Sequence, residues 1–381
     1  MAWTHFYVGD GGTDNIGTHD GESHTNRWAT IGYALARITA DDVGDDSIIV
    51  LENTADFELD GHGNKLESGA AKDVVFIGGN SSGVIDGSRA TIKATGTWDS
   101  GHGVWQQDHG HYTFMNIIFD SNNLAQYGYW GDATAADEMA FHNCRFTNAT
   151  KFGCYPTESY YMFSHCEFDN NGTTDGGSDG GCFRIYYGHF YRCNFHSNTG
   201  IGASCLGQRT SFSECVFANN TFWGLNAYGA QSIRNCTFES NDAGAIKVYN
   251  SDDTPGPAGK YMPCMIIDCS FKNNGIENAS DDVIEADVPQ PSGHDSPAFA
   301  YNCVFDQTGV SGGTMESEFI ARAIVTEGTI SYEGSTTDGN YTPVSGSSVV
   351  GIGTPLPFTV RGTTASLSLI HISEPTRRTP I

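Results

Sequence analysis

Asn143-Cys144-Arg145-Phe146 recurs as His165-Cys166-Glu167-Phe168, then as Arg192-Cys193-Asn194-Phe195, Glu214-Cys215-Val216-Phe217 and Asn235-Cys236-Thr237-Phe238. Asp268-Cys269-Ser270-Phe271 and Asn302-Cys303-Val304-Phe305 are two further copies. Asn116-Ile117-Ile118-Phe119 is an earlier one, with Ile in the cysteine position. Five residues before each of these phenylalanines stands an apolar residue: Phe114, Phe141, Phe163, Phe190, Phe212, Ile233 and Ile266, with Ala300 last. Three residues after, Asn recurs as Asn122, Asn171, Asn198, Asn220, Asn241 and Asn274. Successive copies lie 27, 22, 27, 22, 21, 33 and 34 residues apart, a unit near 22 with loop insertions.

Within a unit, Cys and Phe alternate with polar residues at period two, so they share one face of a strand. One unit cannot bury that face. Units stacked ~4.8 Å apart bury it as a continuous column. The recurring Asn suits a tight turn, since Asn tolerates the left-handed region and can bond its copy in the next coil. Parallel strands repeating every ~22 residues without crossover helices specify a solenoid.

At these residues, from about Ile48 to Ile324, the chain resembles right-handed parallel β-helix proteins of the pectin-lyase-like family. The expected fold is therefore all-β: a right-handed parallel β-helix with an N-terminal cap containing a short helix. The eleven cysteines follow the repeat, and no C-x-x-C pair occurs, so they read as buried thiols rather than a disulfide framework or metal site.

Composition agrees with one elongated unit. Of 381 residues, 38% are hydrophobic and 17% charged, too polar for a thick globular core. Twenty-two Phe and 17 Tyr are too many for a disordered chain. Nineteen basic against 45 acidic residues, a net charge of -26, exclude a nucleic-acid binder and oppose a polyanionic ligand unless Ca²⁺ or a local basic groove offsets the field. No run of 18 apolar residues exists, so membrane insertion is not expected. Met1-Ala2-Trp3-Thr4-His5 has neither a basic nor an apolar leader region, so a Sec signal is either absent or lost from this sequence; localisation stays open, with a virion or export by a non-Sec route among the options.

The ends read differently from the middle. Residues 1–47 form the expected cap: the strand and Gly/Asp loop from Phe6 to Asn15, then a helix whose face is Ile31, Ala34, Leu35 and Ile38. It covers the open end of the solenoid, and this order is similar to the cap of many β-helix proteins. Asp10, Asp14 and Asp20 in its loop are candidate Ca²⁺ ligands, against the plainer reading of a solvated turn. Residues 48–325 are the β-helix, and 326–366 a last irregular coil and tail. Residues 367–381, with Leu367-Ser368-Leu369-Ile370-His371-Ile372-Ser373-Glu374-Pro375-Thr376-Arg377, look like a translated sequencing adaptor, which points to a gene assembled from environmental reads.

The strand after each Asn turn offers a binding face. Aligned on Gly128, Gly153, Cys182, Ser204, Gly224 and Ala245, it places Phe183, Ile185, Leu225, Ala227, Ile246 and Val248 inward. One outward column is then Trp130, Tyr155, Arg184, Leu206, Asn226 and Lys247; its neighbour is Asp132, Thr157, Tyr186, Gln208, Tyr228 and Tyr249. Sugar rings stack on aromatics while hydroxyls bond to amides and charges, so Trp130, Tyr155, Tyr186, Gln208, Asn226, Tyr228 and Tyr249 are the expected substrate-binding residues, against the plainer reading of an ordinary β-face.

Lyases of the resembled fold use Arg or Lys to take the proton α to a uronate carboxyl, often with Ca²⁺ held by Asp. The resemblance therefore assigns Arg184 and Lys247 as candidate bases, with Asp175, Asp179, Asp252 and Asp253 as loop carboxylates. A hydrolase needs two carboxylates ~5–10 Å apart, and Asp132, Glu158, Asp175 and Asp179 are candidates. Gly101-His102-Gly103 and Arg184-Ile185-Tyr186 resemble polygalacturonase motifs, but the paired Asp-Asp and the Lys are missing. His102, Asp108, His109 and His111 share a Gly-rich stretch, more often a plain loop than a metal site. The expected function is a polysaccharide-binding protein, monomeric or homotrimeric, with cleavage of its ligand by β-elimination or hydrolysis left open as a further activity. The alternative is a non-catalytic virion or cell-surface fibre or spacer.

Overall fold

In the computed structural model, the described residues are 3–15, 17, 20–40, 47–60, 64–66, 73–107, 111–131, 138–156, 160–173, 179–206, 210–228, 231–249, 264–275, 283–287, 298–306, 320–327, 357–360 and 363–366. They form a right-handed parallel β-helix. Each coil carries three strands. A typical coil runs Tyr160–Ser164, Glu167–Asp169 and Gly180–Ile185. Its strands pair in parallel with those of the coils before and after. The three strand positions define three faces. The first and second faces merge in a 21-stranded assembly, and the third is a nine-stranded sheet.

Two corners shape the coil. The residue before each cysteine of the repeat, and before Ile117 in the earlier copy, takes the left-handed region: Asn116, Asn143, His165, Arg192, Glu214, Asn235, Asp268 and Asn302 have φ between 50° and 55°. That bend separates the first face from the second, so the repeat is two short strands around a corner rather than one strand. Just past it, three thiols donate to the carbonyl of a Phe one coil below, and Cys269 and Cys303 to those of Ile233 and Ile266. Cys144 reaches Phe114 at 3.4 Å, Cys166 reaches Phe141 at 3.4 Å and Cys215 reaches Phe190 at 3.5 Å. A small buried side chain with a weak donor fits there. All eleven cysteines are free and buried. Burial pushes the thiols of Cys144, Cys193, Cys205 and Cys236 up, and that of Cys264 up to about 12.

At the second corner the recurring Asn departs from expectation. The left-handed residue is the one before it: Asn170, Ser197, Asn219, Ser240 and Asn273. Asn171, Asn198, Asn220, Asn241 and Asn274 turn inward, fully buried. Each amide donates to the next: Asn171 to Asn198 at 3.0 Å, Asn198 to Asn220 at 2.9 Å, Asn220 to Asn241 at 2.8 Å and Asn241 to Asn274 at 2.7 Å. Asn122 stands outside this ladder; it is exposed and itself left-handed, with φ 49°. The next strand opens on a small residue. A Cβ on Gly153, Gly202 or Gly224 would meet the ladder amides within 3.1 Å, which is why glycine recurs there.

Two phenylalanine columns fill the interior. Phe76, Phe114, Phe141, Phe163, Phe190 and Phe212 stack at 4.6–5.5 Å. Phe119, Phe146, Phe168, Phe195, Phe217, Phe238, Phe271 and Phe305 stack at 4.6–5.2 Å.

The N-terminal segment is more than a cap. Thr4–Val8 pairs in register with Ser47–Glu52 and supplies the first rung of the first face. The helix Ile31–Thr39 follows, with Ile31, Ala34, Leu35 and Ile38 buried in the core. Asp14 is committed to its start, accepting from Ala29 N at 2.8 Å, Thr30 N at 3.1 Å and Thr30 Oγ1 at 2.6 Å. Asp20 accepts from Glu22 N at 3.0 Å in a local turn. The three loop aspartates do not converge on an ion site. No helix among the described residues is long and apolar enough to cross a membrane.

Candidate functional site

The third face places the expected strip only in part. Register runs Gln106, Trp130 and Tyr155 on adjacent strands, and Ser204, Asn226, Lys247 and Glu285 further along. Ser204, not Leu206, stands level with Asn226. The alignment above slipped that coil by two residues. A two-residue slip leaves the alternation unchanged, so the pattern of apolar residues cannot detect it. Counting from the turn does: Asn198 to Ala203, Asn220 to Leu225 and Asn241 to Ile246 are each five residues.

Phe183 is also corrected. It stacks outside on Phe152 at 4.5 Å, while Cys182 and Ile185 point in. The cause is a bulge between Cys182 and Ile185, where Arg184 takes φ 61°. All other left-handed non-glycine residues described sit at the two corners. The bulge lifts Arg184 outward, its guanidinium 5.6 Å from the Tyr155 ring centre. Tyr127 lies 5.8 Å from Trp130 and 5.1 Å from Tyr155, ring to ring. Burial raises the Tyr127 phenol above its ordinary value; the Tyr155 and Asp179 charges add to this, and Arg184 opposes it.

Trp130, Tyr155, Arg184 and Asp179 thus gather on neighbouring coils. Lys247 does not join them. It lies three rungs from Arg184, about 14 Å away, paired to Glu285 at 3.0 Å and set against the Trp223 ring. Between them Ser204 and Asn226 are 2% and 5% exposed, so the strip is not an open row. Tyr186 is half-buried at the turn toward the first face. Tyr228 and Tyr249 are backbone partners at their strand ends, and their side chains lie outside the described set. Asp108, His109, Asp132, Glu158, Asp175, Gln208, Asp252 and Asp253 lie outside the described residues. His102 and His111 fall on different faces.

The first face holds an open groove that sequence reasoning missed. Its volume is about 590 Å³. Its floor is the outward row Val75, Thr113, Ala140, Met162 and His189, paired rung by rung. One wall carries Asp73, His111, Glu138, Tyr160 and Tyr187. Small Thr113 and Ala140 make the hollow, and Trp3 stands at one end. Six rung steps separate the strand after Trp3 from Tyr187–Tyr191, roughly 29 Å along the axis. Trp3, Tyr160 and Met162 are 43%, 51% and 57% exposed, unusual for large apolar groups. Tyr160 and Tyr187 stack at 5.1 Å. His111 Nδ1 lies 3.4 Å from Asp73 Oδ1, and His189 Nδ1 lies 2.7 Å from Ser211 Oγ. The available signal was Tyr160-Tyr161-Met162-Phe163, in which both alternating sets are large and apolar.

Among the described residues, one group of acids and imidazoles clusters at metal-ligand distance: Glu167, Asp169 and His196 on the second face. Its atoms already have partners. Arg145 grips buried Asp169 with two bonds of 2.7 and 2.6 Å, and Thr147 and Asn170 add to them. Glu167 takes His196 at 3.0 Å and Arg89 at 3.5 Å. Two guanidiniums balance two carboxylates, so this is an ion-pair network joining coils and not a cation site.

A family model described as a right handed β-helix region matches residues 132–255. No curated protein matches the sequence. Among solved structures, ORF18 of Geobacillus virus E2 superposes with a TM-score of 0.53 at 14% identity, over 86% of this chain and 60% of that one. The chain thus spans about 60% of that protein's length. The alginate lyase from Paenibacillus sp. str. FPU-7 gives 0.49 at 12% identity, over 77% of this chain and 97% of that one. The pectate lyase Pel9A gives 0.43 at 13%, over 83% and 79%. At such identities the likeness is one of fold.

Proposed function

We propose that this chain is a polysaccharide-binding β-helix protein whose ligand lies along the first-face groove. The observation that carries the reading is the exposed set Trp3, Tyr160 and Met162, with half-buried Tyr187 stacked on Tyr160, beside an axial hollow with acids and imidazoles on its rim. A long shallow groove of this kind suits a polymer better than a compact metabolite, which would be enclosed. Aromatic faces take the C–H faces of sugar rings, and the polar rim takes hydroxyls. The Trp130, Tyr155 and Arg184 cluster on the third face is a second, smaller contact surface in this reading.

For cleavage, the groove offers Asp73 and Glu138. They stand two rungs apart with His111 between them, about 10 Å from strand to strand, near the carboxyl spacing of inverting hydrolysis. In that reaction one carboxylic acid protonates the departing glycosidic oxygen. The other carboxylate takes a proton from the water whose oxygen attacks the anomeric carbon. One C–O bond forms and one breaks. Elimination by Arg184 and Lys247 acting together is not favoured, given the distance between them.

The test is affinity electrophoresis against a polysaccharide panel, with reducing ends and ultraviolet absorbance of unsaturated uronates followed in parallel. Retention by at least one polymer that Tyr160→Ala weakens is the expected result. Failure of every polymer to retain the protein would sink the proposal.

A further inference from the structure

We infer that the polysaccharide taken by the groove is uncharged, not a polyuronate. The inference rests on the groove reading above and adds the class of ligand. Its basis is charge. The ionisable groups lining the groove are Asp73, Glu138, His111 and His189, with four tyrosines; among the described residues no Lys or Arg lines it. Three cations on the neighbouring second face and corners are held by acids: Arg145 by Asp169, Arg89 by Glu167 and Arg192 by Glu214; Arg234, two rungs beyond Tyr187–Tyr191 on the first face, donates to Ser232 Oγ at 3.1 Å and does not line the groove. The whole chain carries -26.

The flanking sequence points the same way. The segments that run directly into the groove strands are 67–72, 108–110, 132–137 and 157–159. They contain Glu67, Asp108, Asp132, Asp137 and Glu158 against a single Lys72.

A polyuronate brings one carboxylate with every sugar. Laid along this groove, it would set a row of anions beside Asp73 and Glu138 with no Lys or Arg among the described lining residues to offset them, and each approach would be repulsive. A neutral glycan meets the same groups favourably. Carboxylates accept strong bonds from sugar hydroxyls, and Tyr160 and Tyr187 offer stacking faces. The inference also bears on chemistry. β-Elimination needs a carboxyl to acidify the proton that leaves, so a neutral chain in this groove is bound or hydrolysed, never eliminated.

The experiment compares neutral polymers (xylan, mannan, β-glucan, galactan) with alginate and polygalacturonate by affinity electrophoresis of the full chain. It is run at low and high salt, with Ca²⁺ and with chelator. The expected result is retention by a neutral polymer that salt leaves unchanged and that Tyr160→Ala weakens about tenfold. Polyuronates should be excluded most strongly at low salt, where repulsion is least screened. The double variant Asp73→Asn with Glu138→Gln should gain polyuronate retention several-fold. Tyr160-sensitive retention by a polyuronate in preference to every neutral polymer, with or without Ca²⁺, overturns this inference and leaves the glycan reading standing. No retention by any polymer overturns both.

Discussion

The interior and the exterior of the first face are written in the same strands, one residue apart. Inward, the register runs Phe114, Phe141, Phe163, Phe190 and Phe212. Outward, the adjoining register runs Thr113, Ala140, Met162, His189 and Ser211. From Phe76 to Phe212 the inward row repeats one residue because each ring stacks on its own copy, and beyond it Ile233, Ile266 and Ala300 keep the row buried and apolar. Nothing stacks on the outward row, so it changes at every rung. Repetition marks what holds the solenoid together. Variation along an exposed row, with large apolar groups beside small ones, marks where another molecule fits.

The strongest way to break that contrast is to cut the inner columns. Phe195→Ala, in the middle of the second column, should cost about 3–5 kcal/mol, since its ring packs between Phe168 and Phe217 at 4.6 and 4.8 Å. Urea unfolding followed by far-ultraviolet circular dichroism measures it; a loss below about 1 kcal/mol would mean that the column collapses around the gap. Asn198→Ala should cost somewhat less, about 2–4 kcal/mol, by stranding the Asn171 N–H and the Phe168 carbonyl. The same unfolding curve reads it.

The inner columns were legible in the sequence because they repeat. Cys, Phe and Asn at fixed offsets, copied from Asn143 to Phe305, imply a stacked parallel strand even without knowledge of the loops. Less was legible at the corners. Left-handed residues there include His165, Arg192 and Glu214, which carry no turn signal of their own. The corner is imposed by closure of the coil against its neighbours. The bulge at Arg184 and the cover over Ser204 and Asn226 were illegible for a related reason. Alternation states the side of a strand on which a residue lies, and it is silent on what packs over that side. The groove needed one step more, since Tyr160, Met162 and His189 become neighbours only once the rung register is known.

Acid on the second face gives a finer separation. The Glu167 carboxyl is held below its ordinary value of 4.5, chiefly by the His196 hydrogen bond, with Arg145 and Arg89 adding to it. A depressed carboxyl contributes stability that is fully present above 4.5 and is lost as pH falls through the folded value. Glu239 works the other way. Burial raises its carboxyl despite Lys272, so its share is present below 4.5 and lost as pH rises through the folded value. Glu167→Gln should therefore flatten the acid limb of the stability–pH curve, and Glu239→Gln should lift the neutral side. Thermal midpoints across pH 3–8 check both; parallel curves for the two variants would show that neither carboxyl is linked to folding.

The smallest effect on stability belongs to the groove, and it sharpens the contrast most. Tyr160 and Met162 are 51% and 57% exposed, and the ring that Tyr160 stacks on, Tyr187, lies outside the core. Tyr160→Ala and Met162→Ala should each leave stability within about 0.5 kcal/mol of the parent. Tyr161→Ala, one residue away and 3% exposed, should lose about 3–5 kcal/mol. An exposed aromatic that contributes nothing to folding is retained for contact or by chance. Contact requires that the stability-neutral Tyr160→Ala also lower glycan affinity about tenfold, because a stacked sugar loses its platform. If stability and glycan retention are both unchanged, the row is bare surface, and the outward face carries no more information than its alternation.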